Sequence, residues 1–587
     1  MYMLRLFPLI LSLLAFSVIS FNTEARDVKI QVAATGDVHA RLFPYNFVAN
    51  KPAKTSMANV HYIVQSIRSQ DRSKLILLDN GDLIQGSPAA YYANFIQDAE
   101  KNLFSRVMNF MKFDAATIGN HDIEAGPEVY NRLEREFDFP WLGANVIDKE
   151  TGEPYFPPYT IIERQRIKIA VLGLTTTGVP QWLPAHLWEG LEFQDMVESA
   201  AEWVDHIREH EDVDAIVGLF HSGLGPLEPD PSDHPLEHAS GYVAKEVPGF
   251  DVIFSAHDHR RHVRTIVNRK GDEVLLLGPG HFAENLAVAE LSFSRTSRHS
   301  YELKDVRAEM IDTDRAVPSH QFIQEFDDDV QEILRFSNQK IAEISEPMHS
   351  IESFFGSAAF TDLVHDIQLK LTDADLSFTA PLAFNETIQE GTMYMRDFFS
   401  LYEYENYLYT MTLSGREILD YLEYSYGLWM NTMQEEDDYL LNFYTDELGR
   451  VPPERRGRSA LRNPPYNFDS AAGITYVVDV TQPVGQRIEI TGMEDDTPFY
   501  ADSTYTVAIN SYRGSGGGGH LTDGAGIPED ELEDRIVNTS DEDLRTKMID
   551  YFKEIEIYHP EKRNNWKIIP EEYAEQGQEN DKQYLIP

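Results

Sequence analysis

The chain has 587 residues, with 97 acidic against 50 basic ones, a net charge of −47 and a pI near 4.7. That length exceeds what one hydrophobic core fills, so two domains are expected, and the acidity excludes polymeric DNA or RNA, whose phosphates it would repel. No cysteine occurs, which excludes disulfides, thiol catalysis and a lipid anchor on cysteine. The acidity reads as an adaptation to solubility or salt. It leaves small anions open as ligands, because bound cations dominate the local field of a metal site.

Arg5 precedes an apolar run from Leu6 to Ile19, with small residues near Ala25. This predicts a secretory signal peptide over residues 1–25, the run being shorter than the roughly 20 residues a spanning helix needs. The expectation is a periplasmic or secreted product, monomeric and without a membrane partner once the signal is removed.

From Asp27 onward, short apolar runs alternate with segments of helical spacing. Ser56 to Ser69, Ala99 to Lys112 and Asp195 to Glu211 are the helical ones. Five runs of strand length each end on Asp, Asn or His. Val28–Ala34 leads to Asp37-Val38-His39, and Leu75–Leu78 to Asp79-Asn80-Gly81-Asp82. Ala116–Ile118 leads to Gly119-Asn120-His121-Asp122, Ala215–Phe220 to His221, and Val252–Ala256 to His257-Asp258-His259. Strand ends are rigid and neighbouring, so side chains delivered there suit one shared metal centre. Nitrogen and oxygen donors without thiolate favour Zn, Mn, Fe or Co. Ile169–Leu174 is a further short run with no donor at its end and reads as a core strand. Asp233-His234 and Glu237-His238 read as a solvated loop.

The same blocks, in the same order, resemble those of the calcineurin-like metallophosphoesterases, with Ala256 standing where that family usually has glycine. The resemblance implies a four-layer α-β-β-α sandwich over residues 27–315 and two divalent metal ions. One would be held by Asp37, His39, Asp82 and His259, the other by Asp82, Asn120, His221 and His257. Asp82 would then bridge the pair, reducing its repulsion, and the ions would activate water and clamp a phosphoryl group. His121, beside Asn120, is the candidate proton donor to the leaving oxygen. An imidazolium near cations needs an anion behind it, and Glu124 is placed for that.

Pro318 to Ile344 carries Phe322, Phe326, Val330, Ile333 and Leu334 on one stripe and predicts a long bridging helix over residues 316–345. The second domain, residues 346–587, is expected to be α+β. It has no metal-ligand pattern, but aromatic runs at Leu401–Asn406, Tyr466–Asp469 and Asn510–Ser515, followed by Gly516 to Gly519. By composition these are core or surface tyrosines and a flexible glycine linker. They also resemble the C-terminal domain of periplasmic 5′-nucleotidases and 2′,3′-cyclic-nucleotide phosphodiesterase/3′-nucleotidases. That implies a base sandwiched by Tyr404 and Tyr512 and hydrogen-bonded to Asn406. Thr379–Asn385 lacks the arginine usual in 5′-nucleotidases, and its Ala-Pro segment, with the Leu401–Asn406 and Tyr466–Asp469 runs, leans toward the cyclic-phosphodiesterase branch. Arg455, Arg456, Arg458 and Arg462 read as a solvated basic loop.

The expected function is hydrolysis of a small nucleotide substrate, with a hinge near the bridge bringing the two residue sets together. The alternatives are a dimetal hydrolase of a non-nucleotide ester, such as a thiosulfate ester or a sugar phosphate, and a nucleotide-binding surface protein without turnover.

Overall fold

In the computed structural model, which describes residues 27–229, 236–297 and 300–586, alternation along the first strand already sets the layers. In Val28–Thr35, Ile30, Val32 and Ala34 face a second sheet, while Ala33 faces an outer helical layer. In Ala215–His221, Ala215, Val217 and Leu219 point inward, and Ile216 and Phe220 point outward. Both faces are apolar, as strands covered on both sides require. The expected signal peptide and the Asp233-His234 pair lie outside the described residues.

Two six-stranded mixed sheets therefore pack face to face. One runs Tyr301–Asp312, Asn285–Arg295, Val28–Thr35, Leu75–Asp79, Ala115–Thr117, Trp141–Leu142. The other runs Arg261–Val267, Glu273–Pro279, Val252–Ser255, Ala215–His221, Ile167–Thr175, Tyr159–Arg164. Helices Met57–Asp71 and Leu103–Met111 cover the first, and Met196–His210 and Ser240–Glu246 the second. Met196–His210 starts where Asp195 accepts from the Val197 and Glu198 amides at 2.8 and 3.0 Å. The result is the α-β-β-α sandwich expected. Each fully buried Leu or Ile between the sheets contributes about 1.5–3 kcal/mol.

The bridge departs from the single long helix expected over residues 316–345. Helices His320–Glu325 and Asp327–Ser337 meet at a non-helical Phe326, and Lys340–Ile344 is a strand paired with Gly391–Tyr394 and Ile557–Tyr558. The apolar period changes there. Phe322, Phe326 and Ile333 sink into the first domain's core, but Ala342 and Ile344, two apart, alternate into the second domain's core.

In the second domain a five-stranded sheet runs Ser470–Ala472, Leu376–Thr379, Thr504–Asn510, Tyr407–Ser414, Ile536–Asp543. Helix Gly415–Trp429 packs on it, opened by a capping box in which Ser414 Oγ accepts from the Glu417 amide and Glu417 Oε2 from the Ser414 amide. The domains abut through Tyr91, whose hydroxyl meets Thr546 Oγ1 at 2.8 Å, and through the His186 and Tyr407 rings, 4.7 Å apart. Among the described residues no helix is long and apolar enough to cross a membrane.

Candidate metal centre and its cavity

The five donor-bearing strand ends come from both sheets, three from the first and two from the second, and meet over the sandwich edge. Two clusters result, in which donor atoms lie within 4.8 Å of one another: Asp37, His39 and His259, and Asp82, His221 and His257. Asn120 joins the second, its Oδ1 3.0 Å from His221 Nε2. All seven residues expected to hold metal are thus gathered. Five of them, Asp37, His39, Asp82, His257 and His259, have φ between 45° and 75°. Non-glycine residues persist in that region only where their surroundings overdetermine them, and such strain gathers at functional sites.

The donor set fits cations. Asp37 and Asp82 are buried side by side, and Asp82 Oδ2 has no hydrogen-bond partner, its nearest base being His221 Nε2 at 3.1 Å. A buried carboxylate oxygen left unpaired is costly, and a cation is the partner it lacks. Burial pushes the Asp37 carboxyl well above its ordinary value. Burial also pushes His39 down to about 3 and His259 to about 2, keeping both imidazoles neutral as ligands require. His221 Nδ1 meets the Asn80 carbonyl at 2.8 Å and so carries a hydrogen, while Nε2 faces Asn120 Oδ1 and Asp82 Oδ2. Burial lowers the His221 pKa but the Asp82 and Asp37 carboxylates raise it to about 9, so a metal at Nε2 would displace a proton.

Asp122, for which the sequence suggested no role, holds this arrangement. Its carboxylate accepts from the amides of Gly119 at 2.8 Å, Asp82 and Leu83 at 3.0 Å and Ile84 at 3.3 Å. Gly119 is obligatory, because a Cβ there would lie 2.2 Å from Asp82 Oδ1. Ala256 is accommodated because it faces Gly36.

His121 sits beside the second cluster, its amide donating to Asp82 Oδ1 at 2.9 Å and its Nδ1 hydrogen-bonded to Glu124 Oε2. Burial alone would lower its pKa, but the carboxylates of Asp82, Glu124 and Glu405 outweigh it and raise the group to about 10. The loop expected to be solvated turns inward in part. Glu237 and His238 line the cavity, and Glu237 Oε1 lies 3.0 Å from His257 Nε2. Trp182 stacks on His257, with ring centres 5.4 Å apart. Sequence spacing gave no signal for Trp182, which lies 75 residues from that histidine.

These groups open on one cavity of about 1300 Å³, whose far wall is the second domain: Tyr404, Asn406, Tyr466, Asn467, Tyr512 and Arg458. Of the basic loop, Arg458 reaches the cavity, while Arg455 lies over Tyr444 and Arg456 over Tyr584. The glycine run is no linker. Gly516, Gly518 and Gly519 have φ between 72° and 103°, and a Cβ on Gly518 would meet Arg513 Nη1 at 2.2 Å. Arg513 is buried and pairs with Asp469 at 3.0 Å while donating to the Tyr466 and Gly517 carbonyls. That network fixes Tyr466, Tyr512 and the glycine turn relative to one another.

Residues 30–261 match the calcineurin-like phosphoesterase family and residues 340–523 the 5′-nucleotidase C-terminal domain. The chain is 26% identical over 575 residues to a 2′,3′-cyclic-nucleotide 2′-phosphodiesterase/3′-nucleotidase of Yersinia enterocolitica, covering 87% of this chain and 84% of that one. It is 27% identical over 618 residues to a trifunctional nucleotide phosphoesterase of Bacillus subtilis, covering 94% of this chain but 39% of that longer protein. A 5′-nucleotidase precursor from Thermus thermophilus shares the fold, with a TM-score of 0.62 at 19% identity over 92% of this chain.

Proposed function

Since residues 30–261 belong to the calcineurin-like phosphoesterases and residues 340–523 to the 5′-nucleotidase C-terminal domains, we propose that this enzyme is a periplasmic or secreted nucleotide phosphoesterase that acts as a monomer. Its substrates would be 2′,3′-cyclic and 3′-nucleotides or 5′-nucleotides. The observation that carries this reading is one cavity bounded by two nitrogen–oxygen donor clusters on one side and by tyrosines on the other.

Asp37, His39, Asp82 and His259 would hold one divalent cation, and Asp82, Asn120, His221 and His257 the other. Such a pair supplies positive charge for a phosphoryl group and acidifies water. The chain's own residues do the rest. His121, with Nδ1 engaged by Glu124, keeps Nε2–H for the ester oxygen that leaves as water attacks phosphorus. The P–O bond breaks, and the departing oxygen takes that proton. Glu124 holds the ring in place and its positive charge near the site. Tyr404 and Tyr512 stack a base at about 1–3 kcal/mol each, and Asn406 bonds to its edge. The tyrosines hold the nucleoside while the phosphate lies over the metal clusters, so that much of the orientation is settled before reaction.

The test is an assay of the purified protein against 5′-, 3′- and 2′,3′-cyclic nucleotides and an aryl phosphate, with Mn, Zn, Fe and Co restored one at a time to metal-stripped enzyme. Metal-dependent release of phosphate or of a 3′-nucleotide supports the reading. Turnover of the aryl phosphate with no nucleotide turnover would favour a non-nucleotide ester. Gel filtration at several concentrations tests the monomer.

A further inference from the structure

The geometry points to Glu405, on the second domain, as the residue that sets the imidazole tautomer of His39, on the first, acting through Gln85. Gln85 Nε2 donates to Glu405 Oε2 at 2.8 Å, and Gln85 Oε1 lies 3.3 Å from His39 Nδ1. Glu405 in turn is paired with Arg545, a fully buried guanidinium that also donates to the Tyr402 and Glu403 carbonyls and lies over the Phe399 ring at 4.1 Å.

Each link forces the next. A carboxylate facing a guanidinium only accepts, so the Gln85 amide must turn its NH2 toward Glu405 and its carbonyl toward His39. A carbonyl also only accepts, so His39 Nδ1 must carry the hydrogen, leaving the lone pair on Nε2. Nε2 is the atom turned into the donor cluster, 3.0 Å from His259 Nε2. Without Glu405 the Gln85 amide is free to turn over and offer NH2 to Nδ1. That would stabilise the tautomer with hydrogen on Nε2, which cannot ligate a metal.

Glu405 lies between Tyr404 and Asn406, so the segment that would hold the base also reaches a metal-cluster histidine on the other domain. A nucleoside that favours docking of this segment then tightens one cation, and by linkage the cation tightens the nucleoside. Gln85 and Glu405 are positioning residues. The inference rests on the reading of His39 as a metal ligand.

The experiment is equilibrium dialysis of the whole protein against Mn2+, with and without adenosine, with bound metal counted. Gln85→Met keeps the packing and removes the relay. It is expected to bind one of two ions about tenfold more weakly and to lose the strengthening by adenosine seen in wild type. Gln85→Glu keeps an acceptor at Nδ1 but repels Glu405. It is expected to keep the Mn2+ affinity and lose the adenosine effect, which a merely structural role would not reproduce. If Gln85→Met fails to fold, Glu405→Asp, which keeps a charge beside Arg545 but retreats from Gln85, is expected to give the same loss. Wild-type affinity in the folded variant, or an equal loss in Gln85→Glu, overturns the proposal. His39→Ala separates the layers. If it retains both ions, the ligand reading fails; if it loses one while Gln85→Met loses none, only the relay fails.

Discussion

On the first domain's side of the cavity Asp37 and Asp82 are buried in strained turns at strand ends, and His221 is buried at the end of its own strand, hydrogen-bonded to the Asn80 carbonyl. Across from them Tyr404 on a loop and Tyr466 and Tyr512 in single helical turns are half-buried rings, the last two steadied from behind by the Arg513–Asp469 pair. The difference follows from what each wall must do. Charge has to be held within a fraction of an ångström for phosphoryl chemistry, so it is built on a packed sandwich. A base needs a flat partner and tolerates a looser frame, because every base presents a stacking face.

The largest effect that would break this contrast is at Asp82. Asp82→Ala is expected to release both ions and to lower kcat/KM by about 10³-fold or more, since several kcal/mol of charge stabilisation go with them. Metal analysis beside kinetics checks it, and a variant that keeps both ions would remove Asp82 from the bridge. Next is His121→Ala, expected to cost about 10²–10⁴-fold in kcat on nucleotides. The loss should be small with p-nitrophenyl phosphate, whose leaving group needs no proton. An equal loss on both substrates would mean that His121 is not the acid.

Tyr404→Ala and Tyr512→Ala sharpen the other wall. Each is expected to raise KM for nucleotides by about 1–3 kcal/mol and leave the aryl phosphate nearly unchanged, as steady-state kinetics on both substrates would record. Glu124→Gln takes away one of the carboxylates that hold His121 protonated. An acid backed by a carboxylate stays protonated to higher pH than it would without one, and its deprotonation sets the alkaline limb of kcat. Removing one raising charge moves that alkaline limb to lower pH, and an unmoved limb would contradict the pairing.

The smallest effect on activity tests burial without function. Asp581 is buried, does not line the cavity, accepts from the Leu441 amide at 2.7 Å and is pushed up by burial to about 8. Its folded-state pKa lies above the unfolded one, so it destabilises the fold increasingly as pH rises from about 4 to 8. Asp581→Asn is expected to gain several kcal/mol at pH 8, at about 1.4 kcal/mol for each pH unit by which the pKa is raised, and nothing near pH 4, read by thermal unfolding at both. A gain at pH 4 of equal size would point to packing instead.

The contrast between the walls also explains what could be read in the sequence. Asp37, His39, Asp82, Asn120, His221, His257 and His259 each stand within a few residues of an apolar strand, so local pattern located them. His121 and Glu124 are three apart on one short helix, again a local relation. Gln85 and Glu405 are separated by 320 residues, and only the docking of two domains makes them partners. Glu237 turns inward for a similar reason, since its neighbour His257 lies 20 residues on, beyond the strand Val252–Ser255. The bridge differs from a single helix because Asp327 to Leu334 is a genuine amphipathic helix whose pattern runs without a break in charge into Lys340–Ile344. There Ala342 and Ile344 belong to a strand. The glycines at 516–519 read as a linker by composition, and the Arg513 side chain packed against Gly518 makes them a fixed turn.

The central claim is that residues scattered over the first domain form a paired-cation pocket facing the tyrosines of the second. Anomalous diffraction at the manganese edge, from crystals grown with Mn2+ and adenosine, tests it most directly. The account predicts two peaks, one among Asp37, His39, Asp82 and His259 and one among Asp82, Asn120, His221 and His257, with the base between Tyr404 and Tyr512. Crystals without anomalous density among these side chains, or with adenosine bound elsewhere, would contradict it.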